Sequence, residues 1–211
     1  MTSAIIVASA TDVVINGNVV RANKLGLNDA AIEIGLQQED VGLGAERVNL
    51  SDNDVRSSFL YAVRVRSGSR RVVISDNVIT TSVYAPNAEP VTAILAIADR
   101  VAISGNVIDH CAAAQSPATG PAIATQGSQN TIAGNTVEMN TSSNSVAVLI
   151  DDTQSSCTGN AIGLPANYAG GTVSAIGLTG GSSNCTAVGN TCGTATPVQD
   201  SGATNEVAHN T

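Results

Sequence analysis

The sequence predicts an all-β fold: a right-handed parallel β-helix of about eight coils with three short strands per coil. Three observations carry this. A six-residue phrase ending in asparagine recurs along the whole chain. A second, apolar phrase precedes each copy at a nearly constant distance. The second residue after the asparagine is apolar in copy after copy.

The asparagine phrases are Val13-Val-Ile-Asn-Gly-Asn18, Val48-Asn-Leu-Ser-Asp-Asn53, Val72-Val-Ile-Ser-Asp-Asn77, Val101-Ala-Ile-Ser-Gly-Asn106 and Asn130-Thr-Ile-Ala-Gly-Asn135. Weaker copies end at Asn160, Asn190 and Asn210. The preceding phrases start at Ala4, Ala31, Ala62, Ala93, Ala122, Ala147 and Ala175, and finally at Pro197. From that residue to its asparagine is 13 to 15 positions in seven copies; coil 2 is longer and carries an insertion, roughly Gly35–Glu46. Repeats of this length are the signature of a solenoid, in which no unit buries its own apolar face and stacking creates the core.

Alternation sets the facing. Glu33 lies between Ile32 and Ile34, and Arg64 between Val63 and Val65, so the aliphatic positions face inward. After each asparagine, the third strand places Val20, Val55, Ile79, Ile108, Val137, Ile162 and Cys192 in one inward column. The asparagines themselves, Asn18, Asn53, Asn77, Asn106, Asn135, Asn160, Asn190 and Asn210, are expected to form a ladder. A sharp bend favours Asn or Gly in a left-handed conformation, and stacked amides bond coil to coil. The hand follows from the right-handed rule for parallel crossovers.

Composition agrees. Apolar residues make up 43 % and charged residues 12 %, too apolar for disorder, while 2 % aromatics and no Trp leave the core to Val, Ile, Leu and Ala. A net charge of −8 argues against nucleic acid and anionic membrane surfaces as partners. All nine Lys and Arg lie at or before Arg100; residues 101–211 hold six acids and no base. Cys111, Cys157, Cys185 and Cys192 show no CxxC pattern and are expected to be reduced, small buried hydrophobes. No metal or cofactor site is read from the sequence.

The Val-x-Ile-x-Gly-Asn-x-Ile phrase resembles the coils of the pectin-lyase-like right-handed β-helix superfamily, including its asparagine ladder at the second turn. The resemblance spans nearly the whole chain and specifies fold rather than activity. It implies either a structural or binding module of a bacterial or phage surface assembly, such as a tail spike or adhesin, or a polysaccharide lyase or glycoside hydrolase. The Asp151-Asp152 pair superficially looks like that of galacturonan hydrolases, but the Gly-His-Gly and Arg-Ile-Lys motifs and the epimerase Asp-Pro-His are absent. Asp151 and Asp152 therefore read as turn residues, His110 and His209 as surface or end-coil residues without triad partners, and no residue is assigned as catalytic. Sparse aromatics further favour the binding module, since sugar clefts stack rings on aromatic side chains.

Charge and spacing locate one candidate ligand site. Arg47, Arg71 and Arg100 stand six residues before the ladder asparagine in consecutive coils, and the column continues Gln129, Gln154, Asn184. Glu46, Arg70 and Asp99 precede them. Arg64 and Arg66 are expected to point outward on the neighbouring first strand, near Glu33, Tyr61, Phe59 and Tyr84. Arg64, Arg66, Arg71, Arg100, Asp99 and Tyr61 thus form the candidate set for an acidic polysaccharide; the alternative is a solvated turn with local ion pairs. The Ala column from Ala4 to Ala175, with Ile6, Leu95, Ala124 and Leu149, is expected to form an outward apolar strip that meets a partner, a second copy or a covering loop, unless the bend simply requires a small residue. Residues 1–211 read as one domain, expected to be a segment of a longer chain or to have its ends covered by partners. Met1-Thr2-Ser3 shows no export signal, and an extracellular or virion-surface setting is expected from the resemblance.

Overall fold

Parallel pairing organises the computed structural model, which describes residues 3–22, 30–38, 41–57, 60–81, 91–111, 120–140, 145–164, 173–193 and 196–211. Three parallel sheets of eight, eight and seven strands run along the axis, joined as first, second and third strand of each coil. Coil 3 is representative: Tyr61–Val65, Arg70–Ser75 and Val78–Thr81. The insertion in coil 2 holds a small antiparallel hairpin, Leu36–Gln38 against Val41–Leu43, at the corner between first and second strands.

Registration is what turns the repeat into a core. Ile32, Val63, Ile94, Ile123, Val148 and Ile176 align in the first sheet, Leu50, Ile74, Ile103, Ile132 and Cys157 in the second, and Val55, Ile79, Ile108 and Val137 in the third. All are buried. Short aliphatic strands suffice because each coil roofs the one below.

The Ala column departs from expectation. Ala31, Ala62, Ala93, Ala122, Ala147 and Ala175 are fully buried and belong to the interior cluster, while Ala4 is exposed. The strand bends at this residue: pairing skips it, as in Ala30↔Tyr61 followed by Ile32↔Val63. Alternation breaks there, and two successive side chains turn inward. A small side chain is what such a corner accommodates, so no outward Ala strip exists.

At the second corner the asparagines form a continuous ladder. Each Nδ2 donates to the Oδ1 of the next, from Asn18→Asn53 at 3.0 Å to Asn190→Asn210 at 2.8 Å. Each Oδ1 also accepts the preceding ladder residue's backbone N–H, as Asn106 Oδ1 does from Asn77 at 3.1 Å. Nδ2 also reaches a carbonyl one coil back, Ile74 O at 2.9 Å for Asn106. The left-handed conformation belongs to the residue before the asparagine: Gly17, Asp52, Asp76, Gly105, Gly134, Gly159, Gly189 and His209 all have positive φ.

His110 is not a surface residue. It is fully buried at the third corner. Its Nε2–H donates to Gly120 O at 3.0 Å, since a carbonyl only accepts, which leaves Nδ1 to accept from the Thr81 hydroxyl at 3.0 Å. Burial holds its pKa below the usual 6.5.

Two outcomes follow. Asn106→Ala strands the Asn77 amide and the Ile74 carbonyl in the interior and is expected to cost about 1–3 kcal/mol in urea unfolding; a change within about 0.5 kcal/mol would mean a solvated ladder. A folded-state pKa depressed below the unfolded 6.5 gives His110 a contribution that is present above that pH and lost as pH falls below it. Stability is therefore expected to fall below pH 6.5 by up to about 1.4 kcal/mol per unit, and this acid limb should vanish in His110→Gln.

Candidate functional site

Two clusters take up the six candidate residues. The first lies on the outer face of the first sheet. Neighbouring strands bring Glu33 beside Arg64 in register, and both side chains are buried although they point away from the core. Arg64 donates to Glu33 at 3.0 Å, Arg66 Nε donates to the same oxygen at 2.5 Å, and Ser3 Oγ donates to the other at 3.1 Å. The Arg64 guanidinium lies over the Tyr61 ring, 4.9 Å from its centroid. Burial lowers the Arg64 pKa, while Glu33 opposes that. Phe59 and Tyr84 fall outside the described residues.

The second cluster occupies the corner between first and second strands. Thr11, Glu46, Arg70 and Asp99 form one register column. The next column is Asp12, Arg47, Arg71, Arg100, Gln129, Gln154, Asn184 and Thr204. Arg47 grips Asp12 through Nε and a terminal nitrogen, at 2.6 and 2.8 Å. Glu46 faces three guanidinia: Arg71 at 2.8 Å, Arg70 at 3.0 Å and Arg47 at 3.3 Å. These cations lower the pKa of Glu46, chiefly through the Arg70 hydrogen bond, and Arg47 does the same for Asp12. Arg100 donates to the Gln129 side chain at 2.9 Å and pairs with no carboxylate among the described residues. Asp99 accepts from Ser128 Oγ at 2.8 Å.

Two concavities run in line along this corner. One of about 400 Å³ is lined by Ser67–Arg70, Ile97–Asp99, Gln126 and Gly127; the other, about 310 Å³, by Ser9–Thr11, Gly44–Glu46, Gly68 and Arg70. Glycine is required in the floor: a Cβ on Gly44 would lie 2.0 Å from Gly68 O, and one on Gly127 2.3 Å from Ala98 O. Charge and concavity coincide at Glu46, Arg70 and Asp99, with Arg71 and Arg100 one residue further on and outside both linings, while Arg64, Arg66 and Tyr61 belong to the cluster around Glu33.

A third polar group lies inside the coils. Asp152 lies at a bend, as a turn residue, but is buried, and accepts from Asn130 Nδ2 at 2.9 Å; burial raises its pKa. Asn130, Ser155, Cys185 and Asn205 continue the inward column that Val48, Val72 and Val101 occupy earlier. The side-chain oxygens of Asn130, Ser155 and Asn205 accept backbone N–H groups: Val101 on Asn130 at 2.8 Å, Asn130 on Ser155 at 2.9 Å, Cys185 on Asn205 at 3.0 Å. The switch from Val to polar residues five before the ladder asparagine is the signal that reveals this second, shorter ladder. Asp151 is exposed and accepts from Thr179 Oγ1. Cys157, Cys185 and Cys192 are free and buried, with the Cys157 thiol pushed up to about 12 by burial; the side chain of Cys111 is outside the description. Among the described residues no three His, Cys, Asp or Glu side chains converge as metal ligands.

Glu33→Ala leaves the buried Arg64 guanidinium and the half-buried Arg66 guanidinium without this acid and is expected to cost about 3–5 kcal/mol in urea unfolding. A cost under about 1 kcal/mol would show that the cluster is hydrated.

No curated protein matches the chain. A family model described as a right handed beta helix region matches residues 41–211. With its three parallel sheets, its asparagine ladder and this match over most of its length, the chain belongs to the right-handed β-helix family.

Proposed function

We propose that this β-helix is a binding module of a bacterial or phage surface assembly, and that it recognises an acidic polysaccharide along the corner between its first and second strands. The carrying observation is the imbalance there. Glu46 is shared by Arg47, Arg70 and Arg71, and Arg100 pairs with no carboxylate among the described residues, so there the exposed guanidinia outnumber the acids beside a shaped concavity. Guanidinium forks match carboxylate and sulfate geometry. Asp99, held by Ser128, is placed to accept sugar hydroxyls. Arg71, Arg100 and Asp99 are the ligand-facing residues in this reading; Arg64, Arg66 and Tyr61 hold the first sheet together around Glu33.

Uronic-acid or sulfated oligosaccharides are expected to bind, with affinity falling as salt rises. Arg71→Ala with Arg100→Ala should abolish binding in calorimetry without loss of fold. Unchanged binding in the double variant would exclude this corner. New reducing ends, or absorbance from an unsaturated uronate, would instead assign the chain to polysaccharide-cleaving enzymes.

A further inference from the structure

On the outer face of the third sheet, one column of side chains reverses its charge about its own middle. Three residues after the ladder asparagine it reads Arg21, Arg56, Thr80, Asp109 and Glu138 from coil 1 to coil 5. Gly163 follows in coil 6 with no side chain. Two cations therefore stand on one side of Thr80, and two acids stand at the same coil separations on the other. The neighbouring outward column, one residue after the asparagine, exposes Val19, Val78 and Val107 by 64, 50 and 50 %.

Pairing within the chain leaves cations in excess at the first end. Arg21 and Arg56 share one acid, Asp54, at 3.9 and 3.4 Å, and their side chains remain about half exposed. At the other end Asp109 accepts from Asn140 Nδ2 at 2.8 Å. Glu138 is exposed and pairs with no cation among the described residues.

A face of this kind complements itself. Let two copies meet face to face about a two-fold axis along the strand direction, level with coil 3. Coil 1 of one copy then lies over coil 5 of the other, coil 2 over coil 4, and coil 3 over its own counterpart. Arg21 faces Glu138 of the second copy, Arg56 faces Asp109, and symmetry makes each contact twice. Thr80 and Val78 meet their own equivalents at the axis, and Val19 lies over Thr136. A two-fold axis along the solenoid would instead set each coil on itself, Arg21 on Arg21 and Glu138 on Glu138. Like charges opposed across an interface repel, so the column selects the antiparallel arrangement.

We infer that the outer face of the third sheet is an interface with a second copy of this chain, packed antiparallel about coil 3. The paired stretch is five coils at ~4.8 Å by four residues at ~3.3 Å. That is smaller than a standard interface, so the dimer is reversible, with a dissociation constant in the micromolar range. The third sheet lies opposite the first corner, whose arginines stay open in the dimer. The inference is therefore independent of the polysaccharide reading.

Sedimentation equilibrium from micromolar to millimolar concentration tests it, with urea midpoints confirming that each variant is folded. The wild-type chain should pass from monomer to dimer. Arg21→Glu opposes acid to acid at both contacts and should raise the dissociation constant at least about tenfold. Arg21→Glu/Glu138→Arg keeps the wild-type net charge, restores opposite signs across the axis and should recover dimerisation. A parallel pairing, already like on like, would not respond to the single change. Val78→Asp sets two acids together at the axis and should also be monomeric; it decides the matter should a glutamate beside Asp54 impair folding. A monomeric wild-type chain, a folded Arg21→Glu or Val78→Asp that dimerises like wild type, or a folded charge swap that stays monomeric would each overturn the interface.

Discussion

A carboxamide buried in a protein must place two N–H donors and one carbonyl oxygen, and at the second corner a stacked repeat does this almost completely. Each ladder Nδ2 reaches the next amide and a carbonyl one coil back, and each Oδ1 accepts twice. Each of the six interior asparagines thereby ties three coils. The interaction presupposes an identical bend in each coil, which is why residues before the asparagine are restricted to those that enter the left-handed region. It also fixes register, and register aligns the aliphatic columns. Core, sheets and outer columns are all consequences of one amide finding its neighbours.

Much of this was legible because the repeat is written in residue identity. Seven copies of Val or Ile, or finally Cys, two places after an asparagine leave little freedom in the third strand. The corners were less legible. Alternation holds only while a strand is straight, so the bend at Ala31 and its equivalents turned an expected outward column inward. His110 follows the same logic: it occupies the inward column that holds Thr81 and Met139, where a polar ring is tolerated because both nitrogens find partners. Asp152 sits at a bend whose facing cannot be counted from either flanking strand. The six candidate residues lie close in sequence, yet the structure divides them. Arg64 and Arg66 converge on an acid one coil below, whereas Arg71 and Arg100 stand on a corner. Pairing between coils decided that, and spacing within a coil could not.

The first corner is also where the regular solenoid is interrupted. The coil 2 hairpin leaves from it, and the floor beside it needs glycine to let carbonyls approach. Its polar columns contribute little to stability in themselves, since exposed ion pairs are weak. A surface that is energetically idle is free to be specified by what it meets.

The ladder has a direction. In every link one Nδ2 hydrogen and the donor's backbone N–H point toward the C-terminal coils, on the Oδ1 of the next amide, while the second Nδ2 hydrogen reaches back to a carbonyl. Aligned bonds of this kind polarise one another. The interior therefore carries a side-chain counterpart of a helix macrodipole, positive toward coil 8 and negative toward coil 1. The charged residues are distributed to match: every Lys and Arg lies at or before Arg100, at the oxygen end, and the stretch beyond it holds only acids. An uneven surface charge that looks arbitrary in the sequence becomes the electrostatic complement of a polarised core.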